Sequence, residues 1–378
     1  MNIDPKILRS DERAIFALRS LYRKYGYTRY KFSKFEEYDL YVRNKNFLVS
    51  DSVITFTDTD GKLMALKPDI TLSIIKNAGD IPCGGVKKVY YNENVYRVSK
   101  GTKSYKEIMQ AGLECMGDID SYRIYEVMLL AAKSLEGISE SFVLGIGHLG
   151  IVSSVIEDAG ADRAVSAELF RCLSEKNVHE IDAICKREGI DGEKIKRLAE
   201  VYGSPDKVAP YLDEIKNEKN EKDIESLLSA VRELEDAGMA GKVQIDFSVV
   251  SDPGYYNGFV FKGYIDKISS AVLTGGQYDA LMKKMGKKCG AVGFAVYLDE
   301  LSELERSAEH HNSDADTVIL YDEKTDEKTL CKTVEEYVTK GEAVSVVKCD
   351  DAASADVHLR CSRLVRILKK EINVSENS

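Results

Sequence analysis

The chain has 378 residues, 44% apolar and 31% charged, enough for one large or two to three smaller cores and too apolar for bulk disorder. No stretch approaches the roughly 20 apolar residues that cross a bilayer. The opening "MNIDPKILRSDERA" lacks the apolar core of a secretion signal, so a cytoplasmic protein without membrane contact is expected. The formal charge is -10, yet residues 1–100 carry 18 Lys and Arg against 12 Asp and Glu, a local basic excess without a general nucleic-acid signature.

In chain order, a helix is expected from Ser10, with Asp11 and Glu12 in its first turn, an apolar stripe of Ile15, Leu18, Leu21, Tyr22 and Tyr25, and a stop at Gly26. Strands follow at Ile54 to Thr57, Leu63 to Leu66 and Lys88 to Val98, then in "SYKEIMQAGLECMG", before a helix from Ser121 to Leu135. Residues 160–238 change to amphipathic helices and charge-rich turns, read as an all-helical insertion. Strand character returns in "KVQIDFSVV", "GFVFKGYI" and "AVLTGG", and "CGAVGFAVYLDELSEL" reads as a glycine-containing turn entering a helix. The pieces flanking the insertion are expected to build one mostly antiparallel sheet. After a polar tract around His310 and His311, "TVILYD", a helix over Glu327 to Thr339 and "AVSVVKCD" predict a small α/β unit. A last helix is expected over Ala355 to Ile372, with "INVSENS" fraying.

The eight cysteines lie far apart and the five histidines form no HExxH, so no metal and no cofactor are expected. Three stretches carry chemistry. In "LKPDIT", Asp69 and Thr71 beside Pro68 either receive an ammonium or cap a helix. In "NVYRVSKGTKSYKEIMQAGLECMG", Arg97 ends a strand with a guanidinium suited to a carboxylate or phosphate. Gln110 and Glu114 share one strand face, where Glu114 can take an imidazole or amine cation or else pair with Arg97. In "VVSDPGYYNGFVF", Tyr255 and Tyr256 point to opposite faces if extended, so at most one is expected to line a cavity, and Gln277 or Tyr278 of "LTGGQYD" reaches inward.

Taken together and in order, "LKPDIT", "NVYRVSKGTKSYKEIMQAGLECMG", "YYNGFVF", "GGQYD" and "GAVGFAVYLDEL" resemble the core motifs of histidyl-tRNA synthetases. They resemble still more closely the non-synthetase paralogues of those enzymes, the regulatory subunits of ATP phosphoribosyltransferase. The resemblance spans about residues 5–305. It implies an α+β class II synthetase-like antiparallel sheet flanked by helices (1–159 and 239–309), the helical insertion (160–238) and a small C-terminal α/β domain (316–378). It also implies a homodimer formed through the N-terminal helix and a nearby strand.

The same resemblance implies a histidine pocket made of Asp69, Thr71, Arg97, Gln110, Glu114, Tyr255 and Tyr256, with L-histidine as candidate ligand. Departures from the synthetase pattern point away from catalysis. Ser251, Ser104, Gln277 and Glu300 stand where synthetase motifs carry Arg, and Gly254 replaces an Asp. Each lost cation removes stabilisation of charge developing on phosphate, where one contact is worth about 3 kcal/mol. The expectation is therefore a noncatalytic partner of a short-form ATP phosphoribosyltransferase catalytic subunit that relays histidine inhibition, with no catalytic residues of its own. The ending after Asp316 is short for an anticodon-binding domain, so tRNA binding is not expected. The alternatives are a degenerate histidyl-tRNA synthetase and an amino-acid-sensing or tRNA-associated adaptor.

Overall fold

The computed structural model describes residues 8–44, 53–79, 81–82, 84–98, 104–250, 254–302, 314–356 and 358–376. The chain divides into two compact units, residues 1–307 and 308–378. Ser251, His310 and His311 lie outside the described residues.

The first unit opens with helix α1 (Ser10–Lys24), which buries Ala14, Leu18 and Tyr22 and carries Asp11 and Glu12 at its positive end. Short strands β1 (Thr28–Arg29) and β2 (Phe35–Glu37), helix α2 (Tyr38–Arg43), β3 (Thr55–Thr57) and β4 (Leu63–Leu66) follow, with β2, β4 and β3 forming a small antiparallel sheet. Helix α3 (Thr71–Asn77) leads into the long hairpin of β5 (Val86–Val98) and β6 (Tyr105–Gly117), paired residue for residue from Val86–Gly117 to Val98–Tyr105. Next come α4 (Ser121–Glu136), β7 (Phe142–His148) and α5 (Leu149–Asp158).

Helices α6 (Arg163–Ser174), α7 (Val178–Glu188), α8 (Glu193–Glu200), α9 (Pro205–Ile215) and α10 (Glu221–Leu234) form the helical segment. A two-residue strand, β8 (Tyr202–Gly203), interrupts it and joins the sheet edge, which corrects the all-helical expectation. The unit closes with β9 (Val243–Asp246), β10 (Phe259–Ile265), β11 (Leu273–Gln277), α11 (Asp279–Lys284) and β12 (Gly290–Tyr297).

The described residues build a nine-stranded sheet in the order β1-β5-β6-β12-β11-β10-β7-β9-β8, antiparallel except where β1 meets β5 and β7 meets β9. One face is covered by α1 and α4, with Tyr22, Tyr90, Leu113, Phe261 and Phe294 in one core that continues into the helical segment through Leu169, Leu173 and Ile181. The Lys88–Glu126 ion pair, 2.6 Å and nearly buried, ties β5 to α4 on this side. The other face packs against α3 and α11 through Val89, Tyr91, Met116, Ile74, Leu281 and Met282. The candidate cavity lies on that second face.

"CGAVGFAVYLDELSEL" is not a turn into a helix: it supplies central strand β12, followed by a 3-10 turn at Leu298–Leu301. Being buried on both faces, β12 shows no alternation for a sequence pattern to reveal. In the second unit, β13 (Ala315–Tyr321), α12 (Glu327–Thr339), β14 (Val344–Lys348), β15 (Cys361–Leu368) and β16 (Glu371–Glu376) give a sheet ordered β14-β13-β15-β16. The helix expected over Ala355 to Ile372 is instead the β15–β16 hairpin, and the stretch expected to fray is held by five ladder pairs from Ile372 through Glu376. Cys361, Leu364, Val365 and Leu368 fall at helical spacing by coincidence. Cys361 and Leu364 pack on one face of the sheet and Val365 on the other, against α12.

Candidate functional site

A cavity of about 340 Å³ opens on the second face of the large sheet, and Asp69, Thr71, Arg97, Gln110, Glu114, Tyr255 and Tyr256 all line it. Alternation on β6 puts Gln110 and Glu114 on this face, both buried. Asp69 comes from the turn leading into α3, and Thr71 is the first residue of that helix. Asp69 Oδ1 accepts from the Leu72 amide at 2.8 Å, so it also satisfies the first turn of that helix, as the capping alternative required. Arg97 Nε donates to the Pro68 carbonyl at 3.0 Å, and the Tyr96 amide donates to the Lys67 carbonyl at 2.9 Å. The end of β5 thereby clamps the turn that presents Asp69.

Glu114 is 2% exposed. It accepts a 2.9 Å bond from Thr71 Oγ1 and a short one from the Tyr278 hydroxyl. Burial pushes its carboxyl up to about 8; the two hydroxyl donors oppose this and the neighbouring Asp69 reinforces it. Asp69 is likewise raised, chiefly by burial, with Leu72 and Arg97 opposing. Among the described residues Arg97 and Glu114 form no ion pair, so the alternative of a purely structural bridge between them does not hold. This end of the cavity offers two carboxyls whose burial disfavours the charged form, so that an arriving cation favours their ionisation.

Two glycines make the space. A Cβ on Gly293 of β12 would stand 1.7 Å from Glu114 Oε2, and one on Gly276 of β11 would meet the Tyr256 ring at 2.7 Å. Tyr255 and Tyr256 both line the cavity, against the expectation of at most one. They sit in the turn before β10, where strand alternation does not apply, with ring centroids 4.7 Å apart and edge-on. Of the pair Gln277 and Tyr278, Tyr278 reaches Glu114, whereas Gln277 Oε1 accepts from the Phe259 amide at 2.9 Å and braces β10.

The sequence reading did not single out Tyr91, Lys262, Thr274 and Tyr297, which also line the cavity. Counting back by twos from Arg97 along β5 reaches Tyr91; no residue nominated on β10 pointed to Lys262. Lys262 is lowered chiefly by burial, against the field of Asp246.

A second cleft of about 390 Å³ adjoins the first, sharing Arg97 and Tyr297 with it. Its charged lining is Glu107, Asp299 and Glu300 against Arg97 and Lys106. The carboxylates are held in place: Glu107 accepts from Tyr96 (3.0 Å), Asp299 from the Met109 amide (3.1 Å) and Glu300 from Ser270 (2.6 Å).

The pattern described as histidyl-tRNA synthetase matches residues 2–301, most of the chain. The chain belongs to the histidyl-tRNA synthetase family. Within that family it is 26% identical over 348 residues to the ATP phosphoribosyltransferase regulatory subunit of Clostridium kluyveri, covering 89% of each chain. It is also 26% identical over 290 residues to the protein of the same name from Oceanobacillus iheyensis, covering 75% of this chain and 71% of that one. Among solved structures, its fold is similar to an ATP phosphoribosyltransferase regulatory subunit/histidyl-tRNA synthetase from Bacillus halodurans, with TM-score 0.71, 23% identity and coverage of 95% and 93%. It is also similar to histidyl-tRNA synthetase from Nostoc, with TM-score 0.67, 16% identity and coverage of 96% and 91%. An ATP phosphoribosyl transferase complex from Thermotoga maritima contains a similar chain, with TM-score 0.61, 20% identity and coverage of 79% and 98%. No helix of the described residues is long and apolar enough to cross a membrane.

Proposed function

We propose that this member of the histidyl-tRNA synthetase family is a noncatalytic regulatory subunit of a short-form ATP phosphoribosyltransferase. It acts on the first step of histidine biosynthesis, activating the catalytic subunit and relaying inhibition by histidine. The observation that carries this reading is the contrast between two adjoining spaces. The first keeps hydroxyls, carboxyls and a guanidinium suited to a zwitterion. The second has three carboxylates against two cations where the family resemblance implies that a synthetase holds triphosphate, which repels the polyanion that adenylation needs. The names of the relatives support the same reading.

In the first space, Glu114 takes the imidazole side of histidine, Asp69 and Thr71 the amino group, and Arg97 the carboxylate. Gln110 with Tyr255 and Tyr256 forms the wall. An effector shifts the catalytic complex only through different affinity for its two states. The protein works in the cytoplasm as a homodimer bound to its catalytic partner, without tRNA.

The test is phosphoribosyl-ATP formation by the short catalytic subunit of the same cell, alone and with this protein, over a histidine titration. Activation followed by a histidine-dependent fall is expected. No change at concentrations that form the complex would reject the assignment in favour of an adaptor or a residual synthetase.

A further inference from the structure

The cavity has a second polar corner that the assignment above leaves unused. Lys262 lies on β10 and Glu114 on β6, with β11 and β12 between them, so their strands are separated by three spacings, about 14 Å. Both residues line the same space. Lys262 stands directly opposite Thr274 on β11, and Thr274 Oγ1 lies 2.9 Å from the Tyr297 hydroxyl. All three side chains line the cavity.

The charge near Lys262 does not balance. Its nearby carboxylate, Asp246, is already engaged: Oδ1 accepts from the Ser248 amide (2.9 Å) and hydroxyl (2.7 Å), and Oδ2 pairs with Lys176 at 3.0 Å. Among the described residues the Lys262 side chain has no hydrogen bond or ion pair. Its neighbour across the ladder on β7 is Gly145, against which Val249 packs. Two ammonium groups thus share one carboxylate, and the second belongs to a residue that lines the cavity together with Thr274 and Tyr297.

We propose that Lys262, with the hydroxyls of Thr274 and Tyr297, forms an anion subsite at the far end of the cavity, able to hold a carboxylate or a phosphate group. A half-buried ammonium gives charge-assisted bonds to either oxyanion, and of the two hydroxyls, one of which donates to the other, the acceptor keeps its proton for the anion. This deepens the reading of the cavity as an amino-acid site and rests on it for the identity of the ligand, though not for the existence of the subsite. The anion is either the carboxylate of the bound amino acid, which Lys262 would then hold in place of Arg97, or a separate phosphate.

Isothermal titration calorimetry of the full chain separates these sources, using L-histidine, histamine (which lacks the carboxylate) and inorganic phosphate as probes. The variants are Lys262→Met and Lys262→Arg, with thermal melts to confirm folding. If the subsite holds the ligand's own carboxylate, Lys262→Met weakens histidine by about tenfold or more, leaves histamine unchanged, and Lys262→Arg restores binding. If the anion is separate, Lys262→Met spares histidine and abolishes phosphate binding. A protein that binds phosphate through Lys262 but does not bind histidine keeps the subsite and rejects the amino-acid reading. Equal affinities of wild type and Lys262→Met for every probe that binds, or no binding of any of the three, overturn the subsite.

Discussion

Glu114 is neutral up to about pH 8 in the fold, whereas the same side chain ionises near 4.5 when unfolded. Between those values the folded state holds the extra proton, so this residue makes stability fall as pH rises from about 4.5 to 8, the reverse of a salt-bridged carboxylate. Glu114→Gln removes that dependence. Its melting temperature relative to wild type should rise by a few degrees between pH 5 and pH 8, since roughly 1 kcal/mol moves the midpoint of a domain by about 2–4 °C. An unchanged difference would show that the carboxylate is already ionised in the fold. An incoming imidazolium favours the ionised form, so histidine binding at about pH 5.5, where the free ring already carries its proton, should release a fraction of a proton. That release appears as a dependence of the calorimetric enthalpy on the buffer's ionisation enthalpy, absent in Glu114→Gln.

Among the elements, β12 and β6 must approach without a side chain between them. Gly293→Ala would put a methyl 1.7 Å from Glu114 Oε2 and 2.5 Å from the Leu113 carbonyl, and the backbone carbonyl cannot swing away. Overpacking of this kind costs roughly 1–3 kcal/mol, to be read from urea unfolding, and histidine binding should be lost with it. The junction of β7 and α5 with α10 is a different case. His148 is buried, with Nδ1 3.5 Å from Asp223 Oδ2 on α10 and its ring edge-on to Phe259. Burial holds its pKa below the ordinary 6.5, with Asp223 opposing. The unfolded chain then takes up the proton first, so stability falls as pH drops below about 6.5. His148→Gln should flatten that acid limb of a melting-temperature profile; an unaltered limb would assign it to other groups.

For the molecule as a whole, the proposed zwitterion site beside an acidic cleft predicts binding without activation. The full chain should show no histidine-dependent exchange of pyrophosphate into ATP above a protein-free control. Exchange above that control would mean that Arg97 and Lys262 suffice for the chemistry. The second unit is short: β14, β13, β15 and β16 with α12 on one face and the segment around Ala352, Ala355 and Leu359 on the other. Its final hairpin turns at Lys369, with φ of 60°, a conformation that favours glycine. Lys369→Gly should therefore be tolerated or slightly stabilising in thermal melts, whereas most substitutions of folded residues cost stability.

Local pattern was enough for α1 and α12, each of which leaves one side to solvent and keeps a clear period. Helix α4 is buried almost all round beyond its first turn and β6 on both faces from Gln110 onward; these were legible from helix length with its Asp120 cap and from strand-forming residue types instead. Residue type and strand alternation likewise sufficed to nominate Gln110 and Glu114 as neighbours on one face, and the ordered motifs added Asp69, Thr71 and Arg97. Three things depended on contacts distant in sequence. Strands β12 and β15 are covered on both faces, which erases the period by which a strand is read. Tyr255 and Tyr256 enter the cavity together because they occupy a turn whose path is set by β10 and β11. Lys262 belongs to the cavity, and Glu114 is held neutral there, because four strands and a roof of side chains close around them; charge state follows burial, and burial arises only when distant segments pack.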